Sequence, residues 1–254
     1  MCRPAALPSL SKETPKLSVI IPALDEARSI GAALDAAARL GAEVEVIVVD
    51  GGSADGTAEV ARSRGARVVS AERGRGAQMH AGALASSGEV LWFLHADTLA
   101  PPDAKERISD ALRDARAVGG NFRIRFDGER AAARFLSWLY PRLRLLGLAY
   151  GDSGFFVRRA AYERAGGFRA LPIFEDLDLL RALWKQGRFV QADAFVVTSS
   201  RRFEGRSFAL TFARWSLLQT LYWLGVSPHA LARLYAHVRE AGGRGRGEGV
   251  SGGI

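Results

Sequence analysis

The stretch that most constrains this chain is Val90–Leu99, V-L-W-F-L-H-A-D-T-L. An unbroken apolar run from Val90 to Leu94 stops abruptly at His95, Ala96 and Asp97. A short run of this kind, bounded by polar residues, predicts a central strand buried on both faces. His95 and Asp97 then stand at its carboxyl end, the edge of an open α/β sheet at which ligands bind. Two potential metal ligands one residue apart, at that edge, are the sharpest chemical signal in the chain.

The surrounding segments repeat the theme. Lys16–Pro22 and Val44–Val49 read as buried strands and Ala66–Ser70 as a third, shorter one. Helical periodicity separates them at Ser29–Leu40, Thr57–Arg64 (with Asp55 or Thr57 as cap) and Gly76–Ser86. Strands alternating with helices at short intervals predict a mostly parallel sheet with right-handed crossovers. After Pro101-Pro102 a helix is expected over Ala104–Ala115, then a strand over Gly119–Phe126. Ala131–Leu148 is apolar with interleaved arginines and reads as a helix broken by Pro141. A short strand at Gly154–Val157, helices at Ala160–Ala165 and Leu177–Trp184, and a strand at Phe189–Val197 follow. Phe208–Tyr222 is strongly apolar, and a helix is expected from Pro228 to His237.

The totals set outer limits. The 254 residues are 48% hydrophobic and 24% charged, ordinary globular composition with room for one large α/β domain. Lys and Arg outnumber Asp and Glu by 35 to 27, a surplus that favours phosphates, anionic lipid or acidic substrates. The basic residues are spread along the chain, and no zinc-finger spacing or RNA-binding aromatic signature occurs, so nucleic acid is not the expected partner. Cys2 is the only cysteine, which rules out a disulfide within the chain and fits a cytoplasmic setting. Residues 1–15, with Pro4, Pro8 and Pro15, read as a disordered arm rather than a signal peptide. Residues 241–254, rich in Gly and Arg, read as a disordered tail. No stretch approaches the roughly 20 apolar residues of a membrane span.

Candidate chemistry gathers at successive strand ends. Pro22-Ala23-Leu24-Asp25-Glu26 closes the first strand, Asp50-Gly51-Gly52-Ser53 the second, and His95-Ala96-Asp97 the fourth. Carboxylates at the ends of neighbouring parallel strands converge on one crevice. Asp50 is placed to accept hydrogen bonds from a base or ribose; it could equally serve only its own turn. Arg73-Gly74-Arg75-Gly76 opens a helix, where guanidinium groups and free backbone N–H groups suit a diphosphate; a solvated turn is the alternative. Met79 occupies the last position of a would-be G-x-G-x-x-G, so a dinucleotide fingerprint is not met, and no P-loop occurs. Asp97 is most economically a ligand for a divalent cation bridging a nucleotide diphosphate, Mg²⁺ or Mn²⁺, both of which prefer oxygen donors. His95 either joins it, favouring Mn²⁺, or packs under a loop. Glu175 and Asp176 begin a helix whose apolar face carries Leu177, Leu180 and Trp184. Negative charge is favoured there by the helix dipole alone; beside a diphosphate site, a carboxylate becomes a natural general base for an incoming hydroxyl.

Taken together these segments resemble family 2 glycosyltransferases of the GT-A fold. The matching order is Leu17–Glu26, Val48–Thr57, His95–Asp97, Gly166–Phe168 and Glu175–Asp176, covering about residues 16–200. F-L-H-A-D-T, with G-D before F-F-V-R-R and L-P-I-F-E-D, looks most like the bacterial subgroup labelled as arsenosugar-biosynthesis-type glycosyltransferases. The resemblance implies a nucleotide-sugar donor, a divalent metal and inversion at the anomeric carbon. By position, Pro22, Leu24 and Glu26 line the nucleoside pocket, Asp50 holds the base and Arg73 lies near the base and diphosphate. Asp97, the last residue of the D-x-D-like triplet, binds the metal, and Asp176 is the base. Asp152 and Glu175 fall to the acceptor side. Departures are Asp25 for the usual Asn, Gly51 for the second Asp of D-D-G-S, His95 for the first Asp of D-x-D, and Ser153 where the subgroup has Gln after G-D. Thr211–Trp215 reads T-F-A-R-W rather than Q-x-x-R-W, which argues against processive polymer synthesis.

The implied layout is one GT-A domain over residues 16–240: a nucleotide-binding half (16–100), an acceptor half (101–200) and C-terminal helices (201–240). A sugar nucleotidyltransferase with a similar sheet is the competing enzyme, but Pro22–Glu26 lacks that class's Gly-rich basic loop. A degenerate nucleotide-binding or membrane-associated scaffold is the non-enzymatic alternative. Phe208–Leu224 is expected to pack under the sheet as a core helix. Its aromatics with Arg134–Arg144 could instead form a peripheral membrane face, which would suit a lipid-linked acceptor at the inner side of a membrane.

Overall fold

The computed structural model of the protein describes residues 15–127, 134, 137, 138, 151–199 and 208–234. The expected arm up to residue 14, the C-terminal tail, and nearly all of Ala131–Leu148 lie outside the described residues. Eight strands form one sheet: β1 Leu17–Ala23, β2 Glu45–Asp50, β3 Arg67–Ser70, β4 Val90–Phe93, β5 Thr98–Leu99, β6 Ala117–Phe126, β7 Phe155–Arg158 and β8 Arg188–Thr198. Their order is β3-β2-β1-β4-β7-β6-β8-β5. The helices are α1 Ile30–Ala38, α2 Thr57–Ser63, α3 Arg75–Ala85, α4 Ala104–Ala111, α5 Arg159–Arg164, α6 Glu175–Trp184 and α7 Phe208–Trp223. The sequence-based boundaries are met to within a few residues, the largest trimming being at the end of α4.

The first four strands in space, β3, β2, β1 and β4, are parallel. β7 pairs antiparallel with both β4 and β6, β6 pairs parallel with β8, and β5 runs against β8. Six strands therefore share one direction, and β7 and β5 are reversed. The sheet is mostly parallel in direction but mixed in pairing beyond β4. This reversal positions the site: the register Phe93↔Phe155 sets the chain entering β7 beside the chain leaving β4.

Alternation along the central strands splits the core into two faces. Val19 and Ile21 of β1 and Trp92 of β4 pack with Ile30 and Leu34 of α1 and Ile108 of α4. Ile20, Leu91 and Phe93 point the other way, onto Met79 and Ala83 of α3 and Leu179, Leu180 and Leu183 of α6. Val90 to Leu94 are fully buried or nearly so, as expected of a strand covered on both sides.

The C-terminal helix departs from expectation. α7 does not lie under the sheet. Leu218 and Tyr222, with Leu231 from the helical residues 228–234, form a separate apolar cluster with Phe174 and Leu177.

Candidate active site

The loops after β1 and β2 are laced together by side chains the strand ends supply. The Ala54 amide donates to Asp25 Oδ1 (2.8 Å) and the Ala27 amide to Asp55 Oδ2 (2.9 Å). The Glu26 amide donates to Thr57 Oγ1 (2.8 Å), and Asp55 Oδ1 accepts from the Thr57 amide (3.0 Å) in the turn that leads into α2, whose N-cap position is Gly56. The Thr57 hydroxyl, donating to Asp55 Oδ1, and then the Ala27 and Thr57 amides hold the Asp55 carboxyl below its ordinary range. Beneath the loops, buried Gln78 of α3 donates from Nε2 to the carbonyls of Ala23 (2.7 Å) and Val49 (2.8 Å). One amide thus clamps the ends of β1 and β2 to α3. Sequence reading missed Gln78; it carries no motif, and only the close approach of α3 to the sheet gives it this task.

Pro22, Leu24 and Glu26 are half-buried at or just past the end of β1. Asp50, the last residue of β2, is 8% exposed, and its carboxylate accepts from the Gly52 amide (3.2 Å) and from Ser53 N and Oγ (3.2 and 2.5 Å). The turn reading of Asp50 is therefore realised. It leaves the ligand reading in place, because a carboxylate has about four acceptor positions.

On the other side of the edge, His95, Asp152, Arg75 and Glu175 form a chain of ionisable groups. His95 Nδ1 lies 3.2 Å from Asp152 Oδ1. Arg75 reaches the same Asp152 oxygen from Nη1 at 3.8 Å and Glu175 Oε1 from Nε at 3.5 Å. Asp152 sits in the 3₁₀ turn Gly151–Ser153 just before β7, so it is the reversal of β7 that delivers it to the β4 end. The turn is fixed from below: Asn121 donates to Ser153 Oγ (3.0 Å) and Trp92 Nε1 to the Gly154 carbonyl (3.2 Å). Gly154 has φ +64°, and a Cβ there would stand 2.9 Å from Trp92 Nε1, so the close approach needs glycine.

Arg73 is exposed ahead of α3, and it is Arg75, the first residue of that helix, whose guanidinium joins the Asp152–Glu175 cluster. The R-G-R-G segment pointed to the right place; the helix register decides which guanidinium faces inward. Gly76 lets α3 approach, since a Cβ there would lie 2.3 Å from the Arg169 carbonyl oxygen and 3.3 Å from Glu175 Cβ.

Glu175 and Asp176 open α6. Glu175 is buried, and its carboxyl is pushed up to about 6, first by burial and then by the neighbouring Asp176 charge, against the pull of Arg75. Asp176 is half-buried and its Oδ1 accepts from the Leu177 amide at 2.8 Å. The residue before them, Phe174, has φ +63°, a conformation costly for a bulky residue. It is held there by Tyr222 stacked at 5.0 Å and Trp215 edge-on at 6.2 Å, both from α7. Packing from outside the sheet thus fixes how α6 presents its carboxylates.

Asp97 is half-buried at the β4–β5 turn, with Thr98 Oγ1 3.5 Å from its Oδ1. Among the described residues no three His, Cys, Asp or Glu side chains converge into a ready-made metal cage. The Asp97 carboxylate offers oxygen donors of the kind a hard cation takes. A carboxylate beside Nδ1 is also the arrangement that orients a ligating imidazole, and Asp152 stands so to His95.

Residues 18–167 match the family model described as Glycosyl transferase family 2. An undecaprenyl-phosphate 4-deoxy-4-formamido-L-arabinose transferase of Klebsiella pneumoniae is 30% identical over 164 residues, 59% of this chain and 49% of that protein. A glucosyl-3-phosphoglycerate synthase of Mycolicibacterium paratuberculosis is 38% identical over 96 residues, 34% of this chain and 29% of that protein. The chain thus spans less than half the length of either relative. The crystal structure of glucosyl-3-phosphoglycerate synthase from Mycobacterium tuberculosis with Mn²⁺ and UDP-glucose superposes with TM-score 0.58 at 23% identity, over 84% of this chain and 80% of that one. The fold is GT-A, and the chain belongs to glycosyl transferase family 2.

Proposed function

We propose that the protein transfers a sugar, with inversion, from a nucleotide-diphosphate sugar to an acceptor hydroxyl, with Asp176 as general base. One observation carries this reading. The reversed β7 and the start of α6 set Asp152 and Glu175 against the β4 edge, joined through Arg75 and His95. This supports a reading in which the donor-side strand ends and the E-D helix start border one site.

In this reading Pro22, Leu24 and Glu26 line the nucleoside pocket, Asp50 meets the base and Arg73 lies near the diphosphate. Asp97, with His95, would hold a divalent cation, Mn²⁺ or Mg²⁺, which supplies charge neutralisation of the departing diphosphate. The Mn²⁺ and UDP-glucose of the mycobacterial neighbour support that assignment. Asp176 takes the acceptor hydroxyl's proton as its oxygen attacks the anomeric carbon and the bond to the diphosphate oxygen breaks. Glu175 and Asp152 hold the acceptor side, with Arg75 between them. The undecaprenyl-phosphate transferase relative supports a lipid-linked acceptor. The motif F-L-H-A-D-T with L-P-I-F-E-D supports membership of the arsenosugar-biosynthesis-type subgroup.

The test is nucleotide release from a panel of UDP- and GDP-sugars in Mn²⁺, with Asp176→Asn as control. Metal-dependent release that falls at least a hundredfold in the variant is the expected result. Absence of turnover with every donor, or an unaffected variant, sinks the reading.

A further inference from the structure

We infer that the outer face of α7 is a docking surface for an anionic lipid bilayer. The inner face of the helix is already occupied: Leu218 and Tyr222 are buried against Phe174 and Leu177, with Trp215 and Leu221 packed beside them. The aromatics Trp215 and Tyr222 are therefore not the membrane-facing groups. A second row, Ala213, Leu217, Thr220 and Leu224, follows helical spacing along the opposite side and is exposed. Leu217 is 57% exposed, Leu224 76% and the neighbouring Trp223 51%. A helix that is apolar on both sides and covered on one expects a second apolar neighbour.

Charge selects that neighbour. No Asp or Glu occurs between Glu204 and Glu240, whereas Arg214, His229 and Arg233 lie within the described part of this stretch. Arg181 of α6 stands on the inner side, its guanidinium 4.4 Å from the centre of the Tyr222 ring, where Asp176 and Asp178 balance it, so the cations that count for the outer side are Arg214 and Arg233. A protein partner of ordinary mixed charge has no reason to require an acid-free stretch of this length. A surface of phosphate headgroups over acyl chains matches both properties, with Trp223 suited to the boundary between them. No described helix is long and apolar enough to cross a membrane, so α7 lies on the bilayer. Because Tyr222 stacks on Phe174, directly before Glu175 and Asp176, docking would hold the start of α6 close to the lipid surface. The lipid-linked acceptor this favours rests on the glycosyl-transfer reading; the docking does not.

The test is flotation of the full chain with phosphatidylcholine vesicles, with and without phosphatidylglycerol. The Leu217→Glu/Leu224→Glu variant is run alongside, its fold checked by circular dichroism and UDP binding by calorimetry. Wild type is expected to float with the anionic vesicles only, to release at high salt, and to lose flotation in the variant. Wild type remaining at the bottom, floating equally with neutral vesicles, or floating undiminished in the variant overturns the inference. So does light scattering that shows a dimer dissociated by the same substitutions, which would make this face a contact between copies. Flotation without UDP binding would refute the donor reading and leave the docking surface standing.

Discussion

Glu175→Gln should make the protein more stable at pH 8 and leave it unchanged near pH 4.5. The Glu175 carboxyl is buried, and its pKa is pushed up to about 6 from an ordinary 4.5. Between these values the folded protein holds more protons than the unfolded chain, so stability falls as pH rises through that window and stays lower above it. At about 1.36 kcal/mol for each pH unit of displacement, the ionised carboxylate costs the fold about 2 kcal/mol at pH 8. Glutamine keeps the shape and carries no charge. It gives up the Arg75 contact, a loose 3.5 Å pair from a half-exposed guanidinium that retains Asp152, but that attraction is already contained in the displacement to about 6. The net gain is about 2 kcal/mol at pH 8. Urea unfolding of both proteins at pH 4.5, 5.5, 6.5 and 8 measures it, with the difference opening between the first and third. A variant no more stable than wild type at pH 8, or a difference that does not change with pH, would refute the assignment of burial and Asp176 repulsion as the cause. Arg75→Met should act in the opposite sense, raising the Glu175 pKa further and lowering stability at pH 8.

Other expectations test the supports of the site. Gln78→Leu withdraws donors from two strand-end carbonyls; the cost is roughly 1–3 kcal/mol in urea unfolding, with weaker UDP binding by calorimetry. Gly76→Ala forces a Cβ toward the Arg169 carbonyl oxygen; a loss of about 1–3 kcal/mol is expected, and a neutral result would show that α3 and α6 are not held at this spacing. Asp97→Asn should abolish the response of turnover to Mn²⁺ titration while Kd for the nucleoside monophosphate stays within about threefold, because the monophosphate needs little charge neutralisation. Chelation of wild type should reproduce that loss, and activity retained in EDTA would remove the metal from the scheme.

Much of this protein is decided locally. Apolar runs too short for helices set β1, β2 and β4, and their polar terminators place Glu26, Asp50, His95 and Asp97 at one edge, because parallel strands of one sheet end on the same side. The Asp50 and Asp55 turns follow from side chains that bond backbone two or three residues on. Glu175 and Asp176 were legible as a helix start because the helix dipole favours negative charge in the first turn. Other features have no local signal. A short apolar strand reads the same in either direction, so only pairing of Phe93 with Phe155 reveals that β7 is reversed and that Asp152 meets His95. Composition at R-G-R-G cannot say which arginine turns inward; contact with Asp152 and Glu175, both distant in sequence, selects Arg75 over Arg73. The apolar content of Phe208–Tyr222 announced burial but not against what. Tertiary packing set its inner face on Phe174 and left its outer face exposed, because a helix apolar all round carries no periodic mark to choose between its sides.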